Sequence, residues 1–122
     1  MERKPYFLQE KADAFKKRVI RMNLYLTSEK HEFIMSKQVL RSGTSIGANI
    51  AESRFAQSPP DYVNKLSIAL KEANETNYWI TSLYEGGYLS NIEFVSIQAD
   101  SEEIIKLLVS SIKKVKTKYG LK

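Results

Sequence analysis

One histidine, His31, stands beside Glu32, and it is the sole side chain of ordinary pKa near neutrality in the sequence. A di-iron site in a helical bundle needs two Glu-x-x-His motifs; residue 28 is Ser, so the chain has none. Bundle-type ribonucleases place a histidine a few residues after an arginine, but Arg21 lies too far before His31 and no later arginine has a histidine after it. A Ser-His-Asp arrangement would have to use His31, and nothing marks a nucleophile for it. Gly43 and Gly47 lack the Gly-Lys-Ser/Thr that completes a phosphate loop. There is no cysteine, which removes disulfides and thiolate metal sites. The expectation is therefore a protein with no catalytic residues, no metal and no cofactor, which is not an enzyme. His31 is expected in an exposed loop or at a helix start.

The basic residues are the remaining chemical lead. The net charge is +5 and the pI about 9.4, which permits an anionic partner without requiring one. Residues 1–27 carry seven Lys/Arg against three acids, and residues 58–87 carry two against four. Residues 88–122 carry six against four, with the basic ones late. Lys11, Lys17, Arg18 and Arg21 lie on a flank of the first helical segment, away from its apolar stripe. Lys113 and Lys114, with Lys116 and Lys118, crowd the last segment. Two readings stay open for both groups. They are solvated faces, the late lysines also complementing a helix dipole, or they contact phosphates of RNA or DNA. No aromatic RNA-recognition signature is present, so binding would follow shape and charge.

The elements that must position these groups are helices. At 43% hydrophobic and 27% charged residues the composition is globular, and 122 residues suit one domain spanning 1–122. The start MERKPYFLQEKADAF has no apolar core of a secretory signal, and no apolar run nears the roughly 20 residues of a membrane span. A cytoplasmic protein with no membrane partner is expected. Four stripes recur at three-four spacing. They are Leu8, Ala12, Phe15, Val19, Met22, Leu26; then Val39, Gly43, Ile46, Ile50 within a helix over 31–56. The third is Tyr62, Leu66, Ala69, Ala73, Thr76, Ile80, Leu83, and the fourth Phe94, Ile97, Ser101, Ile104, Leu108, Ile112, Val115, Tyr119. Pro5 opens the first helix. Ser58 before Pro59-Pro60-Asp61 reads as a cap and an N1 proline. Ser90 and Glu93 fit a capping box, and Gly86-Gly87 a left-handed stop. Short connections imply an all-α, antiparallel up-down-up-down four-helix bundle.

Residues 41–53, RSGTSIGANIAES, are poor helix formers set in a helical pattern. Gly43, Gly47 and Ala51 form a small-residue ridge that admits a close neighbour. Arg41, Ser45, Asn49 and Glu52 share the opposite face. That line is either a solvated face with an Arg–Glu interaction or a polar seam between subunits. The run resembles the signature of the 23S rRNA intervening-sequence protein family, with Arg41, Ser45, Ile46, Ala48, Asn49, Ile50, Ala51 and Glu52 in place. Ser53 stands where that family usually has glycine. The resemblance continues through Ser58-Pro59-Pro60 and KLSIALKEANETNYWITSLYEGGYLS, with Lys71-Glu72 where many members carry Gly-Ser. It covers roughly residues 15–115 and implies a four-helix bundle, a homopentamer and no enzymatic activity. One related group, the accessory proteins of diversity-generating retroelements, binds nucleic acid and a reverse transcriptase.

Two apolar pairs lie off the stripes, Ile20 with Leu24 and Tyr78 with Trp79. A bundle monomer has no use for them outward, so they are candidate subunit contacts; for Trp79 the alternative is a cover over a bundle edge. The expected function is that of a non-catalytic homo-oligomeric bundle that binds nucleic acid or serves as an accessory through a basic surface. The alternative is a protein–protein adaptor or scaffold.

Overall fold

The first buried stripe runs without interruption from Leu8 to Leu26 along one long helix, α1 (Arg3–Ser28). The computed structural model describes the backbone of residues 3–122 and the side chains of residues 7–122, so the reading of Pro5 concerns a side chain outside the described residues. Three more helices follow: α2 (Met35–Ser53), α3 (Pro59–Glu85) and α4 (Asn91–Tyr119). Among the described residues there is no strand.

The terminators act as their chemistry dictates. The Ser58 hydroxyl accepts the Asp61 amide ahead of α3, whose first residue is Pro59. Ser90 and Glu93 exchange both bonds of a capping box at α4. α3 ends in a Schellman motif: Tyr88 N–H donates to the Leu83 carbonyl and Gly87 N–H to that of Tyr84. Gly87, at φ +83°, is the residue that takes the left-handed turn. The second helix is shorter than the expected 31–56. At its front His31 turns left-handed at φ 53°. At its back Arg54, Phe55 and Ala56 tighten onto the carbonyls three residues earlier, and the chain leaves the helix before the two prolines.

Contacts between helices fix the topology. Gln9 and Asn23 of α1 reach Gly47 and Ser36 of α2, so α1 and α2 run antiparallel. Lys11 meets Glu103 and Arg18 meets Asp100, so α1 and α4 do too. Tyr84 stacks on Phe94, and Leu70 shares a groove with Val109 and Lys113, so α3 and α4 do likewise. The helices neighbour one another in the order α1–α2–α3–α4–α1, leaving α1 and α3 diagonal. The core holds every stripe residue expected on α1, α2 and α3. On α4 it holds Ile97 to Ile112. Phe94 and Val115 are half-buried and Tyr119 is exposed, because no neighbour covers the helix ends fully.

α2 brings little apolar mass, so its fit against α1 depends on closeness. A Cβ added to Gly43 would sit 2.9 Å from both Val19 methyls. At Gly47 it would meet Asp13 Oδ1 at 3.0 Å, and the Gly47 carbonyl accepts from Gln9 Nε2 at 3.0 Å. The expected ridge ends there. Ala51 is exposed, since each four-residue step rotates about 40° around the helix and two steps carry it off the α1-facing line. No helix among the described residues is long and apolar enough to cross a membrane.

Gly43→Ala is expected to be destabilised by roughly 1–2 kcal/mol, because two methyls of a rotamer-locked valine must move, which outweighs the helix propensity gained. At Gly47 the tightest contact is the far end of the Asp13 side chain, which Gln9 holds by one hydrogen bond and which can give by a few tenths of an ångström, so Gly47→Ala should cost less than Gly43→Ala. Thermal unfolding of the two variants side by side checks the order.

Candidate functional site

The signature residues hold α2 between its neighbours. Ile46 and Ile50 enter the core beside Gly43 and Gly47. On the other edge Arg41 leans out to α3. Its guanidinium pairs with Glu72 at 3.3 Å and with Glu75, whose carboxylate also accepts from Trp79 Nε1 at 3.0 Å. Directly beneath, the buried hydroxyls of Thr76 and Ser42 are 2.9 Å apart. The expected Arg–Glu interaction along the α2 face does not form: Glu52 is exposed and takes no part, and the acids that meet Arg41 belong to α3. Asn49 Nδ2 donates to the Ser45 carbonyl and Ser45 Oγ to that of Arg41, which satisfies this half-buried line within its own helix.

Glu32 is a residue that helical periodicity missed. Its carboxylate accepts the amides of Ile34, Met35 and Ser36 at 2.7–3.1 Å, closing the N-terminus of α2, where Ile34 has no side-chain cap. Burial pushes its pKa up, but the amides of Met35, Ser36 and Ile34 together outweigh this and hold the carboxyl below its usual value. The available signal was a carboxylate just ahead of a capless helix. His31 is exposed in the same connection, and among the described residues no cluster of metal-ligating side chains exists.

The six basic candidates do not form one surface. Lys11 pairs with Glu103 at 3.4 Å. Arg18 pairs with Asp100 at 2.7 Å and donates to the carbonyl and hydroxyl of Ser96, so both residues tie α1 to α4. Lys17 and Arg21 are exposed and have no ion-pair partner among the described residues; Arg21 borders an open groove of about 430 Å³ with Tyr25 and Ile92. Lys113 lies farther down α4, in a second groove between α3 and α4 with Lys116. From Asp100 to Lys113 the helix rises about 20 Å. Lys114 is exposed and points about 100° away from Lys113.

The off-stripe apolar residues divide. Ile20, Leu24 and Tyr78 are exposed, Leu24 to 60% and Tyr78 to 64%. Trp79 is half-buried against the core and edge-on to Tyr78, with its N–H on Glu75, so it covers the α2–α3 edge.

Four amphipathic helices, with a glycine- and serine-rich second helix clamped between two neighbours, define a class of small all-α bundle protein. The family model described as 23S rRNA-intervening sequence protein matches residues 7–110. A solved protein of unknown function from the S23 ribosomal protein family of Bacteroides thetaiotaomicron is 51% identical and superposes with a TM-score of 0.89, covering 90% of this chain and 98% of its own. No curated protein matches the chain. The chain belongs to the 23S rRNA-intervening sequence protein family.

Glu32→Gln should lower stability at neutral pH by about 1–2 kcal/mol, the size of a lost charged cap. Because the folded pKa is depressed, this contribution is full above the unfolded value of about 4.3 and is lost as pH falls through the folded one. Denaturant unfolding of both proteins across that range should show the difference closing on acidification.

Proposed function

We propose that this protein acts without catalysis, as a homo-oligomeric cytoplasmic bundle that binds nucleic acid or assists a nucleic-acid-handling partner through its exposed, unpaired lysine and arginine side chains. The observation that carries the reading is the division of labour among its cations. Lys11, Arg18 and Arg41 are committed to acids on neighbouring helices. Lys17, Arg21 and Lys113 are exposed with no ion-pair partner among the described residues. Unpaired lysine and arginine side chains are what phosphates recruit, by displacing counterions. The family description, which refers to an rRNA intervening sequence, supports the same reading. The resemblance adds a homopentamer, on which these cations would be repeated by symmetry.

The alternative is an adaptor with no nucleic-acid role, and the exposed Leu24, Tyr78 and Ile92 favour it by offering apolar contact area. Titration with labelled RNA and DNA at several salt concentrations separates the two. The proposal expects the logarithm of the affinity to fall linearly with the logarithm of the salt concentration. It also expects Lys17→Glu/Arg21→Glu/Lys113→Glu to lower affinity at least tenfold and flatten the slope by about 2 for single strands. Absence of binding at low salt leaves the adaptor.

A further inference from the structure

Residues 104–122 hold six lysines and no acid. The helix dipole accounts for Lys116 and Lys118, in the last turn of α4, but its influence ends within about one turn. Lys113 lies six residues before the end of the helix and Lys106 thirteen, so it does not account for them. Lys106, Val109, Lys113 and Lys116 fall on one face of α4, within about 80°. That face borders an open groove of about 350 Å³ between α3 and α4. The floor is aliphatic, built by Leu70 of α3, Val109 and Ile112 of α4, and Leu121. Gly120 takes a left-handed turn at φ 63°, and Leu121 N–H donates to the Lys116 carbonyl at 2.8 Å, which folds Leu121 back against the groove. Lys113 and Lys116 form the rim and have no ion-pair partner among the described residues. No acid lines the groove. The acids of α3 are engaged or distant: Asp61 accepts the Gln57 amide at 3.1 Å, Glu72 and Glu75 hold Arg41, and Glu85 ends the helix. The groove between α1 and α4 differs on both counts, since Glu93 lines it and Arg18 is spent on Asp100.

We infer that the α3–α4 groove seats a single strand of nucleic acid, its bases against the aliphatic floor and its phosphates on Lys106, Lys113 and Lys116. This rests on the nucleic-acid reading proposed above and names the form of nucleic acid and its seat. A rim of lysines with no acid nearby selects an anion. The floor selects an anion that also has apolar faces, because a hydrated phosphate alone would leave Leu70 and the half-exposed Val109 uncovered. The unstacked bases of a single strand offer such faces. A duplex does not, and it cannot enter: its major groove alone is about 12 Å wide, whereas packed helix axes lie about 8–10 Å apart. From Lys106 to Lys116 the helix rises about 15 Å, so the strand's backbone follows the axis of α4. Aliphatic side chains give a base no hydrogen bond, so the floor accepts any base without reading sequence.

The test is fluorescence anisotropy with a labelled strand of about twelve nucleotides, within the usual span of single-strand sites. Four forms are compared at low salt: single-stranded DNA, the same sequence as RNA, the DNA annealed to its complement, and a DNA strand of equal charge that is abasic throughout. Both base-bearing single strands are expected to bind alike, since neither floor nor rim addresses the sugar. They are expected to bind at least about fivefold more tightly than the duplex or the abasic strand, the low end of what base contacts contribute. Val109→Asn should bring single-strand affinity down towards the abasic value and leave its salt slope unchanged. Lys113→Gln/Lys116→Gln should lower affinity and flatten the slope by about 1.4, two lost phosphate contacts on a single strand. Far-UV circular dichroism checks that the variants are helical, and Leu121→Ser, which lies outside every helix, replaces Val109→Asn if the latter is not. Absence of binding to all four forms overturns the nucleic-acid reading itself. Binding that is equal with and without bases, tighter for the duplex, more than about tenfold different between DNA and RNA, or untouched by the groove variants overturns the groove and leaves that reading standing.

Discussion

The seat of Val19 on Gly43 sets the spacing between α1 and α2, and with it the position of much else in the bundle. There is no room for a Cβ at that point, so the two helix axes come as near as backbone and methyls allow. Close approach lets a helix with few large apolar residues be held by its neighbours, because dispersion contacts multiply as the gap closes. It also brings the Gly47 carbonyl within reach of Gln9 and the Ser36 carbonyl within reach of Asn23. These polar ties then fix the register that the short stripe of Val39, Ile46 and Ile50 would define only loosely.

The other edge of α2 solves a different problem. Serine and threonine inside a helix give up some propensity, and their hydroxyls must be satisfied when buried. Ser42 donates to the carbonyl four residues back and lies against the Thr76 hydroxyl, so the buried polar pair bridges α2 and α3 instead of weakening both. Arg41 closes the seam above it on two carboxylates. The family signature is thus a set of packing and pairing residues: small where α1 comes close, hydroxylic where α3 comes close, charged at the rim. Arg41, Ser42, Ser45 and Asn49 of this run all find partners within the bundle.

Much of this was legible in the chain because helical period and capping are local properties. Tyr62 through Leu83 and Leu8 through Leu26 are buried as their spacing requires, and Ser58, Ser90 and Gly87 end or begin helices through bonds to residues close by in sequence. What period cannot tell is which neighbour a flank will meet. Lys11 and Arg18 share a flank with free arginine, but only the structure brings Glu103 and Asp100 opposite them. Arg41 and Glu52 share a face of one helix, but the acids that reach the guanidinium lie some thirty residues away, on Glu72 and Glu75. The small-residue ridge failed at Ala51 for a related reason: spacing by four drifts around the helix, and over two steps the drift decides the outcome. Glu32 escaped because it caps α2 from outside the helix, in a connection that carries no period.

The same distinction bears on function. A cation whose acid lies on a neighbouring helix contributes to the bundle and presents little net charge to solution. One left over contributes nothing internally and keeps its full field outside, within the screening length of the medium. Sorting the cations this way places unspent charge of α1 at Lys17 and Arg21, beside Leu24, neither of which has an ion-pair partner among the described residues. A surface that is at once apolar and charged discriminates among partners better than one that is only either, since a wrong partner must bury an unpaired charge to gain the apolar contact. Lys17, Arg21 and Leu24 lie on the side of α1 away from the core, so a partner could meet them without interrupting any interface that holds the monomer together.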